Sequence, residues 1–490
     1  MKCKINQLIS YMYIKTILCI FLLWGICFSS FAAGKKGGKE YVIVANQSLV
    51  RNPEWSKVID YLRERHEAGV IYYLNSPVEV KEKLQRLRPR YVAFVEQPER
   101  IGLQYVLRIN RMSREIDEDI YVDFRWGIIT GYDAAAALRL VENARDPLVI
   151  RSALSTTTGV RDVYFDRFAL ISDSKDGEIC TKTDNGSHSD TLTPERILTK
   201  FCLLYEDLDP DAIFTASHAT EQNLEMPYSR GNIKSEGGKL YAALPGEKIF
   251  LKESRKPKVY FPVGNCLIGN VNNTRESMAI AWLNSVGVTG MLAYVVPTWY
   301  GAGGWGTLKV WTDFPGQYSL VDAFFINMQL MQLRMQEWSP TFKKLKFPHE
   351  TIRSEEQMNN LLGRGMQQII QVTGIEKPTK DHLGTLYDED VMVYFGDPKW
   401  DVRLQATDGV KAGYRVDFQI EKRKCILTLI TEVGFDSKRE IPCSFIFPRR
   451  LNNPRVISGE NVRAVLADDF VLLYDLEPGK TYRVEIEMDK

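Results

Sequence analysis

A histidine and a cysteine, His218 and Cys266, each sit at the end of an apolar run, the setting in which a thiol nucleophile and its base are usually found. The first run is Ile213-Phe214-Thr215-Ala216-Ser217-His218-Ala219. The second is Val259-Tyr260-Phe261-Pro262-Val263-Gly264-Asn265-Cys266-Leu267-Ile268-Gly269. A β-rich run that stops at a small, turn-prone pair and then presents a cysteine reads as a strand with a thiol at its C-terminal edge. That edge is where open α/β sheets bind ligands. The two residues are 48 positions apart, enough for the crossover that parallel neighbours require. Backbones of neighbouring strands lie about 4.8 Å apart, which lets an imidazole hold the thiol as a thiolate. The expected pair is therefore a nucleophile and its base.

The elements around these residues must place them at one sheet edge. Residues 40 to about 155 alternate strand and helix patterns, with strands over 41–45, 70–74 and 90–95 and helices over 55–62 and 78–87. Gly127-Ile128-Ile129-Thr130-Gly131-Tyr132-Asp133 ends a further strand, and Asp133 caps the helix that opens at Ala134. A second α/β unit follows from about 160 to 400. It has strands at 168–172, at the His218 and Cys266 runs, and at 290–296, and helices over 194–205, 275–286 and 319–338. A polar, glycine-rich excursion interrupts it from Asn223 to Lys256, and Phe395-Gly396-Asp397-Pro398 closes it. This order predicts a parallel sheet with helices on both faces. Residues 405–490 show short alternating strands and no helix, the pattern of a small β-sandwich.

Composition narrows the function classes. The chain has 490 residues, 44% hydrophobic and 26% charged, with a formal net charge of +1. Two or three domains are expected, and nothing in the charge attracts nucleic acid or an anionic membrane. Residues 1–33 have the parts of a secretory leader: Lys2, Lys4 and Lys15, an apolar stretch over 16–24, and Ser30-Phe31-Ala32-Ala33 as a cleavage site. A secreted, periplasmic or cell-surface protein with no membrane span after cleavage is expected; the rival is an uncleaved membrane anchor, because residues 16–33 are almost long enough to span a bilayer. Cleavage removes Cys3, Cys19 and Cys27 and leaves Cys180, Cys202, Cys266, Cys425 and Cys443. Either Cys180 pairs with Cys202 and Cys425 with Cys443, leaving Cys266 free, or all five are reduced.

The His218 and Cys266 strands resemble those of the gingipain-type cysteine peptidases, which have a caspase-like fold. The resemblance extends over roughly residues 40–490, including the 90–95 strand, the Gly131-Tyr132-Asp133 turn, the closing 395–398 segment and the terminal sandwich. It implies α/β subdomains over 40–158 and 159–403 followed by an Ig-like domain over 405–490. It also implies that Cys266 forms an acyl-enzyme with His218 as acid and base, and that the substrate is a polypeptide. Backbone N–H groups of Cys266 and of the residue after the histidine would form the oxyanion hole. That residue is Ala219 here, where the family usually has Gly, and alanine tolerates fewer backbone angles. By alignment of the strand-to-helix turn, Asp133 falls at the family's acidic partner. The loop Pro297-Thr298-Trp299-Tyr300-Gly301-Ala302-Gly303-Gly304-Trp305-Gly306 matches the one that shapes the pocket for the residue before the scissile bond. It makes Trp299, Tyr300 and Trp305 candidate walls. Asn143 and Ala144 occupy the stretch where arginine-cutting members carry their specificity acid, so arginine preference does not carry over.

Other signals are weaker. Asn272-Asn273-Thr274 is a glycosylation-like sequon. His188, His349 and His382 lack zinc-site spacing, and no GxGxxG follows the early strands. No metal or cofactor is expected. The rival to the peptidase is an envelope binding or structural protein that keeps the fold and hydrolyses nothing.

Overall fold

From Tyr41 onward, apolar strand runs alternate with helices. In the computed structural model, which describes residues 39–407, 410–459 and 462–489, this alternation builds a twelve-stranded sheet. Its strands are β1 (Tyr41–Asn46), β2 (Gly69–Tyr73), β3 (Tyr91–Val95), β4 (Arg125–Ile129), β5 (Ser152–Ser155), β6 (Arg167–Ile171), β7 (Glu178–Thr183), β8 (Gly186–Thr191), β9 (Ala212–Thr215), β10 (Lys258–Pro262), β11 (Val288–Tyr294) and β12 (Met392–Phe395). They lie in the order β2-β1-β3-β4-β12-β11-β10-β9-β5-β6-β7-β8. Every residue of β9, β10 and β11 is buried, as expected of strands covered on both faces. The leader and the three cysteines before residue 34 lie outside the described residues.

The helices are α1 (Pro53–His66), α2 (Lys81–Leu87), α3 (Leu103–Met112), α4 (Ala134–Asn143), α5 (Ile197–Leu208), α6 (Met278–Ser285), α7 (Ala302–Asp313), α8 (Leu320–Trp338), α9 (Glu355–Thr373) and α10 (Lys380–Asp388). Side-chain caps mark several starts: Asp133 accepts from Ala136 N–H, Ser277 from Ile280 N–H and Ser319 from Asp322 N–H. No helix among the described residues is long and apolar enough to cross a membrane.

Strand direction decides where the site forms. β6, β5, β9, β10 and β11 all pair in parallel, so their C-terminal ends share one edge. The chain goes from β5 to β6 on one side, then returns to place β9 on the other side of β5. That reversal opens a crevice at the strand ends, the general ligand position in open α/β sheets.

Two readings of the sequence are corrected, and the open choice among the cysteines is decided. The excursion from Asn223 to Lys256 is a five-stranded antiparallel sheet built from Ala219–Thr220, Asn223–Glu225, Asn232–Glu236, Lys239–Leu244 and Glu247–Phe250. Much of the glycine-rich 297–306 loop is the first turn of α7. Its glycines let the helix pack close, since a Cβ on Gly304 would collide with the Val263 carbonyl. Its first N–H groups are satisfied by buried oxygens: Gly303 N–H donates to Asp388 Oδ2 (3.0 Å) and Gly304 N–H to Tyr294 Oη (2.7 Å). Finally, Cys180, Cys202, Cys266, Cys425 and Cys443 are all free. Cys425 and Cys443 are buried in the C-terminal strands and do not pair.

Those strands form a four-stranded and a three-stranded antiparallel sheet. Phe418 of the first packs on Phe445 and Phe447 at ring separations of 5.2 and 5.5 Å.

Candidate active site

β9 and β10 are hydrogen-bonded parallel neighbours, with Thr215 opposite Pro262. The chain leaves the same sheet edge from both, and His218 and Cys266 follow within a few residues. Both line one cleft of about 540 Å³, with Asp173 from the β6 end, Thr298 from the β11 end and Trp305 of α7. Glu225, from the antiparallel sheet after β9, and Tyr228, from the turn that follows it, line the same cleft.

Cys266 is half-buried, and Thr298 N–H donates to its Sγ at 3.2 Å. Burial pushes the thiol above its ordinary range, and the Thr298 contacts pull only partly the other way. These surroundings favour the thiol over the thiolate. Leu267, the next residue, holds φ at +61°. A branched side chain in the left-handed region is a local strain that a tight turn after the cysteine imposes. The His218 ring is exposed to the cleft and makes no side-chain hydrogen bond or ion pair among the described residues.

The indole of Trp305 stands against two glycines at the strand ends. A Cβ on Gly159 would lie 2.6 Å from its Cζ3, and one on Gly264 would lie 3.3 Å from its Nε1. A side chain at 159 would displace the ring, and one at 264 would press on it. Asp173 uses one oxygen, Oδ1, to accept from Thr158 N–H (2.8 Å) and Thr158 Oγ1 (2.7 Å). Neither its Oδ2 nor the Glu225 carboxylate has a hydrogen-bond partner among the described residues, and no Lys or Arg lines the cleft.

No family model matches the chain, and no curated protein matches it in sequence. A solved structure described as "Structure of Protease" aligns with 92% of this chain over 91% of its own, at a TM-score of 0.36 and 9% identity. Similarity that shallow says nothing about chemistry, which has to be read from the cleft itself.

The other residues singled out from the sequence divide. Ala219 opens the Ala219–Thr220 strand in extended backbone, where any residue fits, so the change from Gly has no conformational cost. Asp133 caps α4 through Ala136 N–H at 2.8 Å and lines a separate cavity with Gln97, Tyr132 and Arg275. It is not among the residues lining the Cys266 cleft. Trp299 and Tyr300 also turn away. Trp299 packs edge-on against Tyr387, and Tyr300 lies over Gly384 of α10 with its Oη donating to Asp381 Oδ1 at 2.7 Å. Of the three aromatic candidates, Trp305 lines the cleft. Asp173 and Glu225 were missed; the local signal for Asp173 was an acid just after a buried strand, which many surface turns share, and Glu225 ends a short strand inside the polar excursion. Asp117, Asp119 and Asp123 bring carboxylate oxygens within 4.8 Å of one another, but they lie outside the cleft lining.

Proposed function

We propose that this chain is a cysteine endopeptidase of gingipain type, with a caspase-like catalytic core followed by an Ig-like domain and an export leader over residues 1–33. One observation carries the reading: a cysteine and a histidine at the C-terminal ends of adjacent parallel strands line a single cleft. Because the surroundings of Cys266 favour the thiol, His218 acts as a true general base. Cys266 Sγ attacks the peptide carbonyl carbon while its proton passes to a ring nitrogen of His218. As the C–N bond breaks, that proton goes to the departing amine and leaves a thioester. His218 then takes a proton from water, whose oxygen attacks the thioester, and Sγ recovers the proton as the acid departs. The N–H groups of Cys266 and Ala219 serve the oxyanion, each contributing roughly 3 kcal/mol at the transition state.

The cleft favours a basic side chain before the scissile bond. Two carboxylates, Asp173 and Glu225, face it without a protein cation, and Trp305 offers an aromatic face to a guanidinium or ammonium. The preference is thus argued from Asp173, a residue well away from the 143–144 stretch.

The costly thiolate and unpartnered imidazole favour the second reading, a binding or structural protein on the same fold. A peptide probe with a thiol-reactive warhead after arginine separates the two. The peptidase reading expects rapid labelling of Cys266 and loss of hydrolysis in Cys266→Ala and His218→Ala. Labelling no faster than that of a free thiol, with hydrolysis unchanged in Cys266→Ala, would overturn it.

A further inference from the structure

Asn265, immediately before the cysteine, is fully buried and does not line the cleft. Its side chain nonetheless reaches from the cysteine loop to the histidine loop. Oδ1 accepts from Thr215 Oγ1 at 2.5 Å, and Nδ2 donates to the Ser217 carbonyl at 2.6 Å. Ser217 directly precedes His218. Ser217 Oγ donates to the Glu225 carbonyl, and Glu225 N–H donates to the His218 carbonyl at 2.9 Å. On the other side, Thr298 Oγ1 donates to the Asn265 carbonyl at 3.2 Å, while the Thr298 N–H contacts Cys266 Sγ. Thr215 Oγ1 also meets Tyr260 Oη at 3.0 Å, which ties the network into β10.

A buried amide with donor and acceptor both used is costly to disturb and fixes the groups it joins. Here those groups are the two loops whose relative placement sets the distance from imidazole to thiol. We infer that Asn265 is a positioning residue that couples His218 to Cys266, a role that rests on the peptidase reading of the same cleft. The geometry depends on an amide. A leucine would fill the space but make neither bond, and an aspartate would set a second acceptor against the Ser217 carbonyl. Only the protonated aspartic acid can restore the donor.

The test compares wild type with Asn265→Leu, Asn265→Asp, Thr215→Val, His218→Ala and Cys266→Ala. It uses a fluorogenic peptide with arginine before the cleaved bond, and iodoacetamide alkylation of Cys266 as a substrate-free readout. Asn265→Leu is expected to lower kcat by roughly tenfold to a hundredfold, the scale of a misplaced catalytic group, with KM little changed because Asn265 does not line the cleft. In Asn265→Asp, both kcat and the alkylation rate, taken as ratios to wild type, should rise as the medium goes from mildly alkaline to mildly acidic. A purely structural loss would not follow that pH course. Thr215→Val removes the hydroxyl bonds to Asn265 Oδ1 and Tyr260 Oη but leaves the Asn265 bond to the Ser217 carbonyl, and should give an intermediate loss, which keeps the test decisive if an Asn265 variant does not fold. Wild-type kcat and alkylation in the Asn265 and Thr215 variants, with His218→Ala impaired, would overturn the inference and leave the peptidase reading standing. Full hydrolysis in Cys266→Ala and His218→Ala would instead remove the peptidase reading, and the alkylation ratios would still decide the coupling.

Discussion

Burial and charge set opposite demands on the two sides of the Cys266 cleft. Around the thiol, desolvation raises the cost of the anion, so on the proposed peptidase reading the nucleophile would be made as His218 takes the proton. On the opposite side, Asp173 holds one oxygen in place with Thr158, and its other oxygen has no hydrogen-bond partner among the described residues. A carboxylate anchored in this way pairs with a cationic side chain at low entropic cost, and a charge-assisted hydrogen bond is worth about 1.5–3 kcal/mol. Asp173→Asn should therefore lower kcat/KM for an arginine peptide by roughly tenfold to a hundredfold, with much less effect on one carrying leucine there. Peptides differing only at that residue provide the measurement. Equal losses on both would mean that Asp173 supports the fold of the cleft and does not select the substrate.

At the scale of elements, the least expected part is the strap between the strands Asn223–Glu225 and Asn232–Glu236. Met226 N–H donates to the Gly231 carbonyl at 2.8 Å and closes its base. Tyr228 and Ser229 both hold φ at +58°, a strained pair of the kind that persists where surroundings over-determine the backbone. Arg230 then clasps Asp176, with Nε donating to Oδ1 at 3.1 Å. Asp176 belongs to the loop that also carries Asp173, so the clasp joins the strap to the Asp173 side of the cleft. An exposed pair of this kind contributes little and is weakened by salt. Arg230→Ala should raise KM about two- to fivefold while kcat stays near wild type. Steady-state kinetics at low and high salt check this, since added salt should bring wild type toward the variant. An unchanged KM would detach the strap from substrate binding.

For the molecule as a whole, acid sensitivity should be traceable to His349. Its ring is buried, Nε2 lies 2.9 Å from the Tyr387 carbonyl, and burial lowers its pKa to about 4. The unfolded chain takes up this proton near the ordinary histidine value of 6.5, while the folded chain does not until about 4. The stability it contributes is therefore complete above about 6.5 and is lost as pH falls toward about 4, by roughly 3 kcal/mol in all. Asp388 acts in the opposite sense: burial raises it to about 6, so its protonation stabilises the fold over part of the same window. The informative quantity is the difference between wild type and His349→Gln, in which the amide still donates to Tyr387. Denaturant unfolding across that range should show a shallower acid loss in the variant. Parallel curves would remove His349 from the account.

The His218 and Cys266 strands were readable from sequence because strand signals are local. An apolar run ending at a turn-prone pair specifies both the element and the end at which a side chain emerges, and the crossover length permits a parallel pairing. The C-terminal strands and the cap at Asp133 were readable for the same reason. Tertiary structure decided what depends on partners distant in the chain. Asp173 joins the cleft only because β6 lies two strands from β9 in the sheet. The glycines after Gly301, which read as a loop by propensity, form a helix because Asp388 and Tyr294 receive its first N–H groups and Val263 allows close approach. Trp299 and Tyr300 had the right chemistry for a pocket wall, but α10 offered them a packing surface first. Sequence alone determined that a thiol and an imidazole would stand at strand ends, since that follows from local backbone preference. Which other side chains face them, and the charge state in which the thiol waits, came from burial and from contacts that form only when distant segments pack together.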